Sequence, residues 1–98
     1  MKSMKALRGL IIDFLKRIYP KEIEELTIIG ILYQYYSDDD IRKSLQYLVD
    51  KGYVEKIELE HPFKPFKVIK YYKLTAKGID VSEGTIKDAG ITFIEEEK

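Results

Sequence analysis

Apolar residues first recur at helical spacing between positions 4 and 18. Leu7, Leu10, Ile11, Phe14, Leu15 and Ile18 repeat at intervals of three, four and seven, which places them on one helical face. Ser3 precedes the run as an N-cap, and Pro20 ends it because the residue before a proline disfavours helical geometry. A second helix is predicted over residues 22–35. Glu22, Glu24 and Glu25 occupy its first turn, where the helix dipole favours negative charge. Ile23, Leu26, Ile29 (or Ile28), Ile31 and Leu32 leave it apolar on nearly all sides, which predicts heavy burial. Gly30 costs about 1 kcal/mol against alanine inside a helix, and close packing against another helix is the expected reason for it. A third helix is predicted over residues 38–51, started by Ser37-Asp38-Asp39-Asp40 and stopped by Gly52. Ile41, Leu45, Leu48 and Val49 form its buried face.

The period then changes to two. Residues 53–59 and 67–74 alternate and are rich in β-formers, so they read as strands. Between them, Glu60-His61-Pro62-Phe63-Lys64-Pro65-Phe66 has two prolines and no regular period, which marks a loop. The result is a hairpin with an extended tip. Residues 75–84 form a short fourth helix, capped by Thr75 and stopped by Gly84, and residues 85–98 an extended tail with Ile86, Ile91, Phe93 and Ile94 as anchors. The spacing predicts that Leu45, Leu48, Tyr72 and Leu74 share one core with Leu10, Phe14 and Ile29. One domain is expected over residues 1–98, its core at 4–84.

Composition narrows the chemistry. The chain has 45% hydrophobic and 35% charged residues, which is globular rather than disordered. The lack of cysteine excludes a disulfide framework and a thiolate metal site, and with a single histidine, His61, neither a multi-His site nor a Ser-His-Asp set is expected. There is no Gly-rich phosphate loop, and no enzymatic activity, cofactor or metal is expected. No apolar run approaches the roughly 20 residues of a membrane span. The apolar residues after the basic N-terminus are interrupted by Arg8, Asp13, Lys16 and Arg17, so a cytoplasmic protein without a signal peptide is expected. The absence of Asn, with abundant Lys, Glu and Ile, fits a thermophilic source.

Net charge is zero, but charge is segregated. Residues 1–21 carry six Lys/Arg against one Asp, residues 22–60 four against ten acids, residues 61–79 five Lys and no acid, and residues 80–98 two against six. Two basic segments therefore alternate with two acidic ones.

Two segments carry a resemblance. Leu45-Gln46-Tyr47-Leu48-Val49-Asp50-Lys51-Gly52-Tyr53-Val54 resembles the L-x-x-L-x-x-x-G-[YL]-[VI] segment of prokaryotic winged-helix proteins. Tyr72-Lys73-Leu74-Thr75-Ala76-Lys77-Gly78 resembles their Y-x-L-T-x-x-G segment. The resemblance covers residues 7–84. It implies an α+β winged helix-turn-helix: a three-helix core, a two-stranded wing, a short C-terminal helix and the extended tail. The stretch from Ile79-Asp80-Val81-Ser82 through Asp88-Ala89-Gly90-Ile91 is further similar to the tail of small winged-helix proteins of Mu-like phages and prophages.

The resemblance implies double-stranded DNA as partner, with the third helix in the major groove. Taking Ile41 as the centre of the buried face, Arg42, Lys43, Gln46 and Tyr47 point outward or sideways. Arg and Gln read base edges and Lys holds phosphate. Lys64, Lys67 and Lys70 on the wing, with His61 nearby, are expected on adjacent backbone, and Lys2, Lys5 and Arg8 as a third phosphate contact. The acids at 38–40 and the neutral net charge favour the alternative, a winged helix that binds another protein. Apolar residues to spare on the first helix and on residues 86–94 predict a homodimer through one or both.

Overall fold

The computed structural model describes residues 3–94. Its elements run α1 (Met4–Ile18), β1 (Ile23–Glu24), α2 (Glu25–Leu32), α3 (Asp38–Asp50), β2 (Val54–Glu60), β3 (Val68–Leu74) and α4 (Ala76–Ser82). α1 has the predicted bounds. Ser3 Oγ accepts from the Ala6 amide at 3.3 Å, and Tyr19, before Pro20, leaves the helix in extended geometry. α3 starts as expected, with Ser37 Oγ accepting from Asp40 N at 3.1 Å. Gly52, at φ +83°, turns the chain from α3 into β2 in the left-handed region that glycine tolerates. Thr75 Oγ1 caps α4 through Gly78 N at 3.0 Å, while its hydroxyl donates to Gly52 O at 2.7 Å. One threonine thus ends the hairpin, starts α4 and ties both to the end of α3.

The core lies between α1, α3 and one face of the sheet. Leu7, Ile11, Ile12 and Leu15 meet Ile41, Leu45, Leu48, Val54, Tyr72 and Leu74, all buried. Phe14 and Ile29 pack at the edge of this core as expected. Leu10 does not join it: it is half-buried and lines a surface groove with Phe14, Ile31 and Ile94, because α1 turns that side toward solvent.

The second helix differs most from its prediction. It begins at Glu25, because Ile23 and Glu24 pair antiparallel with Tyr72 and Tyr71 as β1. The sheet is therefore three-stranded, in the order β1-β3-β2, rather than a bare two-stranded wing. The backbone hydrogen bonds offered by the β3 edge outweigh local helix preference there. α2 is also short and superficial. Ile28 is its buried residue, Leu26 is 61% exposed, and no atom lies within 4 Å of a Cβ built on Gly30. Close helix packing does not account for Gly30.

The tail is not simply extended. The Ile91 amide closes a turn onto Asp88 O at 3.2 Å, and the Thr92 amide donates to Lys5 O at 3.0 Å, laying the chain along α1. Ile91 is buried and Phe93 half-buried against the core. A Cβ on Gly9 would collide with the Thr92 carbonyl, so glycine is what lets the tail approach α1.

Candidate nucleic-acid interface

α3 buries Ile41, Ser44, Leu45 and Leu48 and leaves Arg42, Lys43 and Gln46 exposed in a row on the opposite side. Each of the three has an acidic neighbour. Arg42 Nε donates to Glu25 Oε1 at 3.3 Å and its Nη1 to Asp38 Oδ2 at 3.1 Å. Lys43 Nζ lies 3.1 Å from Asp39 Oδ2, and Gln46 Nε2 donates to Asp50 Oδ1 at 2.8 Å. The acids at 38 and 39 thus pair one turn along with the cations of the same face, an i,i+4 arrangement worth about 0.3–0.5 kcal/mol per exposed pair.

Glu25 links this face to the sheet. Its side chain is only 12% exposed, and Oε2 accepts from the Tyr72 hydroxyl at 2.7 Å. Burial first, and then the Glu25 hydrogen bond, push the Tyr72 phenol well above its ordinary pKa. Glu25 also lines an open groove between the start of α2 and the wing, together with Glu24, Leu26, His61 and residues 67–70. Glu25, the partner of Arg42, thus shares this groove with Lys67 and Lys70. Lys70 is half-buried in that groove, opposite Glu58 on β2.

Tyr47 points sideways, away from the row. The Arg8 guanidinium stacks on its ring at 3.8 Å, and its hydroxyl donates to Asp88 Oδ1 at 3.3 Å. Arg8 Nη1 also donates to Gly90 O at 2.9 Å, so Arg8 holds the tail. Lys5 is exposed on α1, and Lys2 lies outside the described residues. Asp88 itself is an acceptor hub, 8% exposed. It takes Tyr53 OH at 2.6 Å, Gly90 N at 2.8 Å and the Lys51 ammonium at 3.2 Å. The Tyr53 hydrogen bond leads in holding its carboxyl down to about 2, with burial opposing and Gly90 and Lys51 assisting. Burial and the same hydrogen bond push the Tyr53 phenol up to about 12.

At the far end of the hairpin the His61 imidazole organises the tip. Its Nδ1 accepts from the Phe63 and Lys64 amides at 3.1 and 3.2 Å, and the His61 amide donates to Lys67 O at 2.8 Å. Phe66 sits at φ +67°, an uncommon conformation for an aromatic residue. Phe63 and Phe66 are 88% and 105% exposed, and Lys64 and Lys67 form no ion pair among the described residues. Sequence reasoning weighed the lysines and missed the two phenylalanines. The available signal was two large apolar residues in a loop that belongs to no buried period.

Three helices, a hairpin with a third short strand and a closing helix define a winged-helix domain. Among solved structures the chain is similar to PadR of Bacillus subtilis, seen in a crystal structure in complex with operator DNA, with a TM-score of 0.66 and 21% sequence identity over 96% of this chain. The match takes in 54% of that protein, so this chain spans about half its length. No protein-family model and no curated protein matches the sequence. Among the described residues no group of three or more His, Cys, Asp or Glu side chains is arranged to hold a metal ion, and no helix is long and apolar enough to cross a membrane.

Proposed function

We propose that the protein binds duplex DNA, as a transcriptional regulator or, following the resemblance of its tail, as a phage-encoded accessory factor. α3 lies in the major groove with Arg42, Lys43 and Gln46 toward bases or phosphates. Lys64 and Lys67 sit on the adjacent backbone, Lys70 stands at the base of the hairpin, and Tyr47 braces α3 from behind. The observation that carries this reading is the acid-free run from His61 through Ile79, the tip and returning strand of the wing: Lys64 and Lys67 stand exposed there without an ion pair among the described residues, and Lys67 lines the groove that Glu25, the partner of Arg42, also lines. The ion pairs on α3 do not oppose it. An exposed pair is worth about 0–1 kcal/mol, so exchanging Asp38 or Asp39 for a phosphate costs little. PadR, whose structure holds operator DNA, supports DNA as the class of partner.

Binding is expected to fall steeply with salt, because each neutralised phosphate releases counterion. Replacing Lys64 and Lys67 together with alanine should weaken binding to all duplexes and lower the log–log salt slope by about 2. Mobility shifts at two salt concentrations on DNA upstream of the protein's own gene measure both. An unchanged slope removes the lysines from the interface, and no shift at low salt removes DNA as the partner.

A second reading, docking of another protein, is favoured by the apolar outer side of α2 and the following turn, where Leu26, Ile31 and Tyr33 are exposed. A homodimer fits part of that surface. Leu10, Phe14, Ile31, Leu32 and Ile94 line a groove where α1, α2 and the tail meet, and two copies paired there present two α3 helices to two half-sites. Sedimentation is expected to show concentration-dependent dimerisation, and a clean monomer at high concentration counts against it.

A further inference from the structure

The wing tip carries more than charge. Phe63 and Phe66 are almost wholly in solvent, on a loop with no acid from His61 through Ile79. Two exposed phenylalanines three residues apart serve no core, since none of the buried cluster touches them. The loop that displays them is nevertheless held in one shape. His61 Nδ1 caps two successive amides, the His61 amide reaches across to Lys67 O, and the chain accepts a left-handed Phe66. Fixed backbone beneath exposed apolar side chains is the arrangement of a surface that acts by insertion, because the ordering cost is already met before any partner arrives.

We propose that Phe63 and Phe66 form an apolar wedge that enters the minor groove of duplex DNA and partly unstacks a base step, while Lys64 and Lys67 hold the flanking phosphates. The inference rests on the DNA-binding reading above and deepens it. Duplex DNA is favoured as the occupant by where the tip stands. β1 pairs only with Tyr71 and Tyr72, so the hairpin from Lys70 to Val68 stands clear of the third strand. At about 3.4 Å per residue this carries the strands roughly 10 Å outward before the seven-residue loop begins. That reach suits the step of about 17 Å, half a helical turn, from a major groove holding α3 to the neighbouring minor groove. In the order Phe63-Lys64-Pro65-Phe66-Lys67 each phenylalanine is followed directly by a lysine, which sets a basic side chain beside each apolar one, as unstacking beside a phosphate backbone requires. Pyrimidine–purine steps, TA above all, unstack most easily and are the expected sites of entry.

The test uses the full chain and a duplex of about two helical turns with 2-aminopurine beside each of its TA steps, titrated at low salt. The wild type is expected to bind and to raise the 2-aminopurine fluorescence. Phe63→Ala/Phe66→Ala, which touches no buried residue, should fold normally and bind about tenfold more weakly. Its salt slope should be unchanged, and its fluorescence at saturation should stay at the free-duplex level. Lys64→Ala/Lys67→Ala should lose about 2 in slope yet still raise the fluorescence at saturation. Binding by the wild type without a fluorescence rise, or a double-Phe variant that behaves as wild type, overturns the wedge and leaves DNA binding intact. No binding by the wild type overturns the DNA reading and the wedge with it. In a parallel titration with anionic-lipid vesicles, binding that the double-Phe variant loses, alongside undisturbed duplex binding, assigns the tip to a membrane surface and overturns the proposal.

Discussion

Gly78→Ala is expected to destabilise the domain by about 3 kcal/mol, at the upper end of what overpacking a tight site costs. A Cβ there would strike the Tyr53 carbonyl oxygen and come within 2.5 Å of Leu74 Cδ1. Leu74 is buried, and the Tyr53 carbonyl already accepts the Thr75 amide at 3.0 Å, so neither neighbour yields without disturbing the junction of β2, β3 and α4. The roughly 1 kcal/mol of helix propensity gained by removing glycine does not offset this. Gly30→Ala is the control in the same measurement. It also sits inside a helix but meets nothing within 4 Å, so the propensity gain of up to about 1 kcal/mol should appear undiminished. Denaturant melts of the two variants should shift in opposite directions. A Gly78→Ala midpoint equal to wild type would show that α4 is free to slide away from β2.

Asp88→Ala is expected to cost a similar amount, about 3 kcal/mol, although Asp88 lies in the tail outside every predicted element. The substitution strands the buried Tyr53 hydroxyl, removes the partner of Lys51 and releases the turn closed through Gly90. The acid dependence of stability checks the charge separately. The Asp88 carboxyl titrates at about 2 in the folded protein, below its ordinary 3.8. Its contribution, about 2 kcal/mol, is therefore fully present above roughly pH 5. It is lost as pH falls through the ordinary value toward 2. Asp88→Asn should flatten that limb of the stability curve while leaving an oxygen for Tyr53. A wild-type curve already flat between pH 5 and 2 would refute the assignment.

How legible all this was depends on the range of the interactions. α1, α3 and both wing strands were readable within a residue or so, because a regular period and a capping side chain (Ser3, Ser37, Thr75) mark them locally. The segment 22–35 was not. A run apolar on every side has no period to distinguish a buried helix from a surface one, and the two residues of β1 owe their geometry to Tyr71 and Tyr72, far along the chain. The row Arg42, Lys43, Gln46 followed from placing Ile41 inward, but the pairing of its two cations with Glu25, Asp38 and Asp39, and the hydrogen bond from Gln46 to Asp50, needed coordinates. Tyr47 and Arg8 read as surface residues because their partners, Asp88 and Gly90, lie more than forty and eighty positions away. The phenylalanines of the wing tip escaped notice because a loop has no face on which an apolar residue looks misplaced.

The amide of Thr92 on the carbonyl of Lys5 has a kinetic meaning as well. Closing a loop of that span in a flexible chain costs on the order of 4 kcal/mol in entropy, far more than one backbone hydrogen bond returns. The contact therefore cannot nucleate anything. It forms only after α1, α3 and the sheet have already brought the two ends of the described chain side by side, and during unfolding it is among the first to let go. The strip from Asp88 to Phe93 behaves as a fastener drawn over a finished garment. Its amides should exchange with solvent faster than those of α1 directly beneath them, on a clock set by local opening rather than by loss of the whole fold.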